Sequence, residues 1–244
     1  MDRLLDATAR AERDHFWFRG FRRFVAPFVR EATRGRADAL ILDCGSGTGV
    51  NLELLRTYGR PVGIDLTWTG LAFARSRGER RIAQASATHL PFATGTFDLV
   101  TSFDVIYSLA DADEASAIVE MHRVLRPGGY LVVNAAAMDL LKGNHSVLAG
   151  EVRRYTRGTL ATRLTRVGFD VRRMTYTNAT IAPIVAGVRF LQRVSGHEES
   201  HQEISIPPAP VNAALTGLLA LEAAALRFVD MPFGSSLLAL ARKR

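Results

Sequence analysis

The chain has 244 residues, a formal net charge of +7, 48% hydrophobic residues and one cysteine. This length and composition fit a globular chain with one sizeable core, and they exclude a disordered or collagen-like chain. A single thiol, Cys44, makes neither an internal disulfide nor a cysteine-rich metal site, so no metal is expected. The first twenty residues lack the continuous apolar run of a signal peptide, and a cytoplasmic protein is predicted.

The basic charge suits anionic ligands, a nucleic acid or a membrane surface. No nucleic-acid recognition motif accompanies it, so an arginine-rich solvated surface is favoured and a nucleic-acid partner is not expected.

Short apolar runs alternate with helix-like segments from residue 39 onward, which is typical of an α/β protein with a doubly wound, Rossmann-like parallel sheet. The sequence predicts strands at 39–44, 61–65, 81–85, 97–103, 129–135, 169–178 and 236–242. Helices are predicted at about 48–58, 68–77, 112–125 and 156–168.

Residues 179–229 separate the last strand from this pattern and are predicted to form a helical cap insertion, with 1–178 and 230–244 as the main domain. An apolar helix at 181–194 and a second at 211–229 flank a polar, proline-containing loop. The second helix carries Asn212, Glu222 and Arg227, which argue against a membrane span. Apolar faces of this length must be covered. Four partners for these apolar faces remain open. They are the N-terminal aromatic segment, a second subunit in a homodimer, an apolar acceptor and a peripheral membrane contact.

The segment Asp43–Gly49 carries three glycines where a buried strand becomes a helix, so its backbone can approach a ligand closely. The spacing G-x-G-x-G and the absence of a lysine differ from dinucleotide and phosphate loops. Asp65 ends the next strand, where a carboxylate can accept from both hydroxyls of a ribose. Together these residues predict a site for an adenosine-containing ligand.

Four segments resemble the motifs of the class I S-adenosylmethionine-dependent methyltransferases, and within them a bacterial group of the methyltransferase type 11 kind. They are ILDCGSGTG, VGIDL, ATHLPFATGTFDLV and MHRVLRPGGYLVVN, which lie within about residues 39–135. The resemblance implies S-adenosyl-L-methionine as cofactor and a mostly parallel sheet in which SLLALAR is the one reversed strand. It also implies an N-terminal lid segment over the donor.

By matching position, the resemblance implies a set of cofactor-binding residues. Asp43, Gly45 and Gly47 would hold the methionine portion, with Ser46 in the same loop; Asp65 would hold the ribose; Leu66, Ser86 and Ala87 would meet adenine; Phe103 and Asp104 would line the donor pocket; and Trp17 and Arg19 would come from the lid. Ser86 departs from the family's usual aspartate, which implies a weaker grip on adenine. Aromatic residues that only anchor a leading helix are an equally good explanation for Trp17.

The acceptor side is less defined, because Ile106–Leu109 lacks the histidine that relatives commonly carry there. His145 follows the fifth predicted strand and is the candidate general base, with Tyr155 as a second candidate catalytic residue. A loop histidine without a role is an equal alternative.

The predicted function is methyl transfer to an oxygen, nitrogen or carbon atom of a small-molecule acceptor, lipid-like or sugar-like. Two alternatives are an enzyme of the same fold that uses the cofactor without methylating, and an RNA-modifying or nucleic-acid-binding protein.

Overall fold

The computed structural model describes residues 2–34, 36, 38–138, 150–184, 187 and 205–244. Its strands are β1 (Leu40–Cys44), β2 (Arg60–Asp65), β3 (Ile82–Gln84), β4 (Phe97–Phe103), β5 (Leu125–Ala136), β6 (Phe169–Thr177) and β7 (Ser236–Lys243). Its helices are α1 (Asp2–Ala11), α2 (Phe16–Ala32), α3 (Val50–Leu55), α4 (Trp68–Ser76), α5 (Asp111–Val124), α6 (Arg157–Val167) and α7 (Ala209–Ala225).

The seven strands form one sheet in the order β3-β2-β1-β4-β5-β7-β6. Pairing is parallel from β3 through β5, and β7 runs antiparallel to both of its neighbours. This confirms the predicted Rossmann-like sheet with one reversed strand. The strand order changes direction between β1 and β4, and in open α/β sheets ligands bind outside the carboxyl ends of the strands at such a point.

The central strands are buried on both faces, which explains their continuous apolar sequences. In β1, Leu42 and Cys44 belong to one core and Ile41 to the other, because successive side chains point to opposite faces. Helices α2, α3 and α7 cover the Ile41 face, and α5 and α6 cover the other. The sheet is therefore a rigid middle layer that fixes the positions of its strand ends.

Helix α7 packs against α2 and the sheet. The two helices approach closely at Gly20, where a Cβ atom would lie 2.4 Å from Leu219 Cδ1. Asn212 joins the N-terminal part of α7 to the start of α2. Its side chain accepts from the Phe16 N–H at 2.8 Å and donates to the Asp14 carbonyl at 2.9 Å. Within the described part of the chain, no helix has the length and hydropathy needed to cross a membrane.

Glu222 ties α7 to the chain that follows β6. It is 2% exposed, and its carboxylate accepts from the N–H groups of Ala179 and Thr180 at 3.0 and 2.9 Å. The charge in this apolar helix therefore serves an internal contact. Residues 185–186 and 188–204, to which most of the predicted first insertion helix and the predicted loop belong, lie outside the described residues, and the division into a domain and a helical cap stays a prediction.

A buried ion cluster joins α5 to α6. Glu114 is fully buried; its Oε1 accepts from the Tyr155 hydroxyl at 2.5 Å, and its Oε2 contacts Arg153 at 3.1 Å and also Arg163. A buried carboxylate with these partners satisfies three polar groups at once. Without Glu114, the two arginines would keep the exposed Asp111 as their counter-charge, and the Tyr155 hydroxyl would keep a long contact of 3.4 Å with the Ile106 carbonyl.

We expect Glu114→Ala to destabilise the protein by about 3–5 kcal/mol, because it removes the short hydrogen bond of a buried hydroxyl and the buried counter-charge of two arginines, which would keep only the exposed Asp111. Urea unfolding followed by circular dichroism measures the change. Asp113→Ala, an exposed neighbour in the same helix turn, is the control and should change stability by less than about 1 kcal/mol. Equal losses in the two variants would contradict the internal role of Glu114.

Candidate functional site

The glycine loop between β1 and α3 is hydrogen-bonded to β2 on one side, and it has open space beside Gly47 on the other. The N–H groups of Gly45 and Ser46 both donate to the Ile64 carbonyl at 2.8 Å. Gly45 has φ +84°, and a Cβ there would lie 2.2 Å from Val105 Cγ2. Gly47 has φ +50°, and the one atom within 4 Å of its Cβ position is Leu5 Cδ2 at 4.0 Å. The loop therefore presents bare backbone at Gly47.

Asp65 lies at the end of β2 and holds the same loop. Its Oδ2 accepts from the Gly47 N–H at 2.8 Å, and its Oδ1 accepts from the N–H and hydroxyl of Thr67 at 2.8 and 2.5 Å. Oδ2 retains one lone pair for a further donor. The residue predicted to hold a ribose thus also sets the loop's conformation.

Asp43 is buried at the end of β1, 1% exposed, below the loop. Thr101 Oγ1 donates to its Oδ1 at 2.6 Å. Among the described residues, neither Asp43 Oδ2 nor the buried Ser46 hydroxyl has a hydrogen-bond partner. Burial raises the pKa of Asp43 to about 7; the Thr101 hydrogen bond opposes that rise, and the charge of Asp65 adds to it. Two buried polar atoms are thus available to a ligand.

The end of β4 adds an aromatic wall and a second acid. Phe103 is buried and meets Phe21 of α2 edge to face, with ring centroids 5.1 Å apart. Asp104 follows with φ +59°, a region that non-glycine residues rarely adopt, and accepts from Asn134 Nδ2 at 2.8 Å. The Asp104 side chain is exposed on one side, and the protein packed around its carboxyl, with the nearby charge of Glu151, raises its pKa.

The residues predicted to meet adenine lie at the ends of β2 and β3. Leu66 is 67% exposed, which leaves its side chain free to cover a ligand. The Ser86 hydroxyl lies 2.8 Å from Thr88 Oγ1 and accepts from the Thr88 N–H at 3.2 Å, so it is engaged within its own turn. Ala87 packs against the core next to it.

The N-terminal segment is joined to the glycine loop by a buried acid that the sequence did not single out. Glu12 is 1% exposed; it accepts from the Thr48 hydroxyl at 2.6 Å and pairs with Arg77. Arg77 also donates to the Ala9 carbonyl at 3.1 Å. The sequence signal, a threonine inside the glycine loop, is too general to reveal this contact. Its effect is to hold α1 beside the open side of Gly47.

Trp17 and Arg19 lie in the first turn of α2, and Trp17 packs against the core beneath that helix. This contact favours an anchoring role for Trp17. Among the described residues, the Arg19 guanidinium has no carboxylate partner within 4 Å. A donor-binding role for either residue stays a prediction.

Of the two candidate catalytic residues, the structure describes Tyr155, which lies away from this loop in the ion cluster of α5 and α6. Tyr155 is 1% exposed and its hydroxyl is committed to Glu114; burial and that carboxylate raise its pKa above its ordinary value, which keeps it protonated. These contacts favour a structural role. His145 lies outside the described residues, so its role stays a prediction. No group of three metal-ligating side chains occurs in the part of the chain that the structure describes.

The methyltransferase domain of the Methyltransf_11 family matches residues 42–133, which contain the glycine loop, Asp65, Ser86 and Asp104. Residues 42–133 thus form a methyltransferase domain of this family. S-adenosyl-L-methionine is the cofactor of this family.

Two relatives and a solved structure are similar to this chain. A demethylmenaquinone methyltransferase from Mycolicibacterium vanbaalenii is 36% identical over 122 residues, 49% of this chain and 48% of that protein. A probable S-adenosylmethionine-dependent methyltransferase from Mycobacterium tuberculosis is 34% identical over 123 residues, 50% of this chain and 43% of that protein. The match thus spans about half the length of these relatives. A methyltransferase structure from Mesorhizobium loti shares the fold, with a TM-score of 0.58, 21% identity and coverage of 89% of this chain and 96% of that one.

Proposed function

We propose that this protein transfers the methyl group of S-adenosyl-L-methionine to an oxygen, nitrogen or carbon atom of a small-molecule acceptor. One observation carries the proposal: two buried polar atoms that have no partner among the described residues, Asp43 Oδ2 at the end of β1 and Ser46 Oγ in the glycine loop, lie next to the bare backbone of Gly47. An amino-acid ammonium and backbone-bonding groups suit this arrangement, so the residues present fit the cofactor.

When bound, the cofactor supplies a methyl group on a sulfonium, and the protein supplies orientation and exclusion of water. We propose that Asp43 accepts from the ammonium group and that Asp65 uses its remaining lone pair for a ribose hydroxyl. The full proposed set comprises Trp17, Arg19, Asp43, Gly45, Ser46, Gly47, Asp65, Leu66, Ser86, Ala87, Phe103 and Asp104.

The proposed acceptor approaches from the ends of β4 and β5, where Asp104 is accessible beside Asn134. An apolar acceptor is supported by the wall formed by Phe103 and Phe21 and by the naming of a relative for demethylmenaquinone. The buried free thiol of Cys44 suits the reducing cytoplasm proposed for the protein.

Incubation with S-adenosylmethionine carrying a deuterated methyl group and a pool of cell metabolites tests the proposal by mass spectrometry. A deuteromethylated product formed together with an equal amount of S-adenosylhomocysteine would support it. A product formed with the cofactor left intact would favour the non-methylating alternative. Donor binding without any product from apolar and polar pools alike would contradict methyl transfer.

We expect affinity for S-adenosylhomocysteine to rise about tenfold between pH 6 and pH 8. The donor ammonium prefers ionised Asp43, whose unliganded pKa of about 7 makes that form scarce at pH 6 and dominant at pH 8. Calorimetry at several pH values measures this slope. Asp43→Asn should bind weakly at every pH with no slope, while Asp104→Asn should keep it. A slope that survives in Asp43→Asn and disappears in Asp104→Asn would assign the titration to the other acid.

A further inference from the structure

The solvent side of α7 carries no charge. Its 17 residues include one ionisable group, Glu222, and that side chain is buried and bonded inward. Exposed positions along the helix are apolar, and Leu221 is 70% exposed. Just beyond the helix, Phe228 is 87% and Val229 60% exposed. Surface helices of soluble proteins normally turn polar residues outward, so we expect this apolar strip to contact a partner.

A broad groove with a cavity volume of about 1170 Å³ runs beside this strip, between the second halves of α2 and α7. Its floor is apolar and includes Ala26, Pro27, Ala220, Ala223 and Ala224. Its rim carries the exposed arginines Arg23, Arg30, Arg34 and Arg227. Among the described residues none of these four forms an ion pair, and Glu31 is the one acid that lines the groove.

The groove is separate from the donor site. Arg36 and Tyr58, which also line it, precede β1 and β2 and so mark the amino edge of the sheet. The glycine loop and Asp104 lie at the carboxyl edge. The unpaired charge is therefore not explained by the cofactor.

We propose that the arginine-rimmed groove and the exposed strip of α7 form a docking surface for an anionic lipid bilayer. Phosphate head groups would pair with the four arginines, and the side chains of Leu221, Phe228 and Val229 would enter the boundary of the acyl chains. Clustered cations beside exposed aromatic and aliphatic side chains are the combination that interfacial membrane binding uses.

Two other occupants fit the charges less well. A second copy joined by a two-fold axis would place the same arginines against each other, since such an interface pairs identical patches. A nucleic acid would satisfy the arginines but leave Leu221 and Phe228 without an apolar partner. The bilayer accounts for both features of the surface.

Sedimentation of the full chain with vesicles tests this proposal. We expect binding to phosphatidylcholine vesicles containing 30% phosphatidylglycerol, little binding to pure phosphatidylcholine, and a fall with rising salt. The double variant Arg30→Glu/Arg34→Glu should lower partitioning at least tenfold. Arg80→Glu/Arg166→Glu, an equal charge change at two other exposed positions, should lower it less than threefold.

A second variant and its control test the exposed apolar side chains. Leu221→Ser/Phe228→Ser should lower partitioning at least tenfold, while Val119→Ser, at a 50% exposed position on α5, should not. Affinity for S-adenosylhomocysteine should be unchanged in all these variants, which separates this proposal from the proposed function. Equal binding to both vesicle types, no vesicle binding at all, or a dimer that Leu221→Ser/Phe228→Ser dissociates would overturn it. Salt-sensitive RNA binding in place of vesicle binding would do the same.

Discussion

Gly47→Val is expected to lower the affinity for S-adenosylhomocysteine by more than about 100-fold, equivalent to about 2.7 kcal/mol. The glycine has φ +50°, and its Cβ direction is open apart from Leu5 at 4.0 Å. A branched side chain would therefore occupy the space into which the loop backbone is exposed. It would also strain a backbone conformation that β-branched residues avoid, and so shift the N–H that now donates to Asp65.

Gly78→Val separates these two effects. Gly78 also has a positive φ, +89°, and no atom of the described residues lies within 4 Å of its Cβ position. We expect both variants to lose about 1–3 kcal/mol of stability in thermal unfolding, because both place a β-branched residue at a positive φ. Calorimetry should then find donor affinity lost in Gly47→Val alone. Retained affinity in a folded Gly47→Val protein would remove the loop from the donor site.

Asp65→Ala is expected to weaken S-adenosylhomocysteine binding by about 10- to 100-fold, since a hydrogen bond to a charged group contributes roughly 1.5–3 kcal/mol. The Asp65 carboxylate has two roles. One oxygen keeps a lone pair for a ligand hydroxyl, and both oxygens hold Gly47 and Thr67 in place. Alanine removes both contributions, so the loss should fall in the upper part of this range.

Thr67→Val measures the structural share by itself, because it removes the hydroxyl that donates to Asp65 at 2.5 Å and keeps the ligand-facing lone pair. We expect its affinity to fall less than fivefold in the same titration. An Asp65→Ala loss no larger than that of Thr67→Val would mean that Asp65 only shapes the loop. Unchanged affinity in both variants would place the ribose elsewhere.

Some expectations from the sequence came close to the structure because local patterns determine them. Strand β4 has the predicted bounds, 97–103, and the helix after Thr156 begins as expected, since Thr156 and Thr159 form a capping box. Other bounds moved. Strand β5 begins at Leu125 instead of residue 129, because Leu125 pairs with Phe97 across an irregular register. Such pairing depends on the neighbouring strand and cannot be read from one segment.

From residue 39 onward, the sequence by itself determined the order of strands, the glycine loop and the acid at the end of β2, because periodicity and glycine spacing are local properties. The tertiary structure decided what these residues touch. It joined Glu12 to Thr48 across 36 positions and Glu114 to Tyr155 across 41. It also turned the charge of Glu222 inward, and it gave the four arginines at the rim of the groove beside α7 no ion-pair partner among the residues that the structure describes. Those outcomes depend on packing between distant segments, which fixes each polar group's partners and has no signature in local sequence.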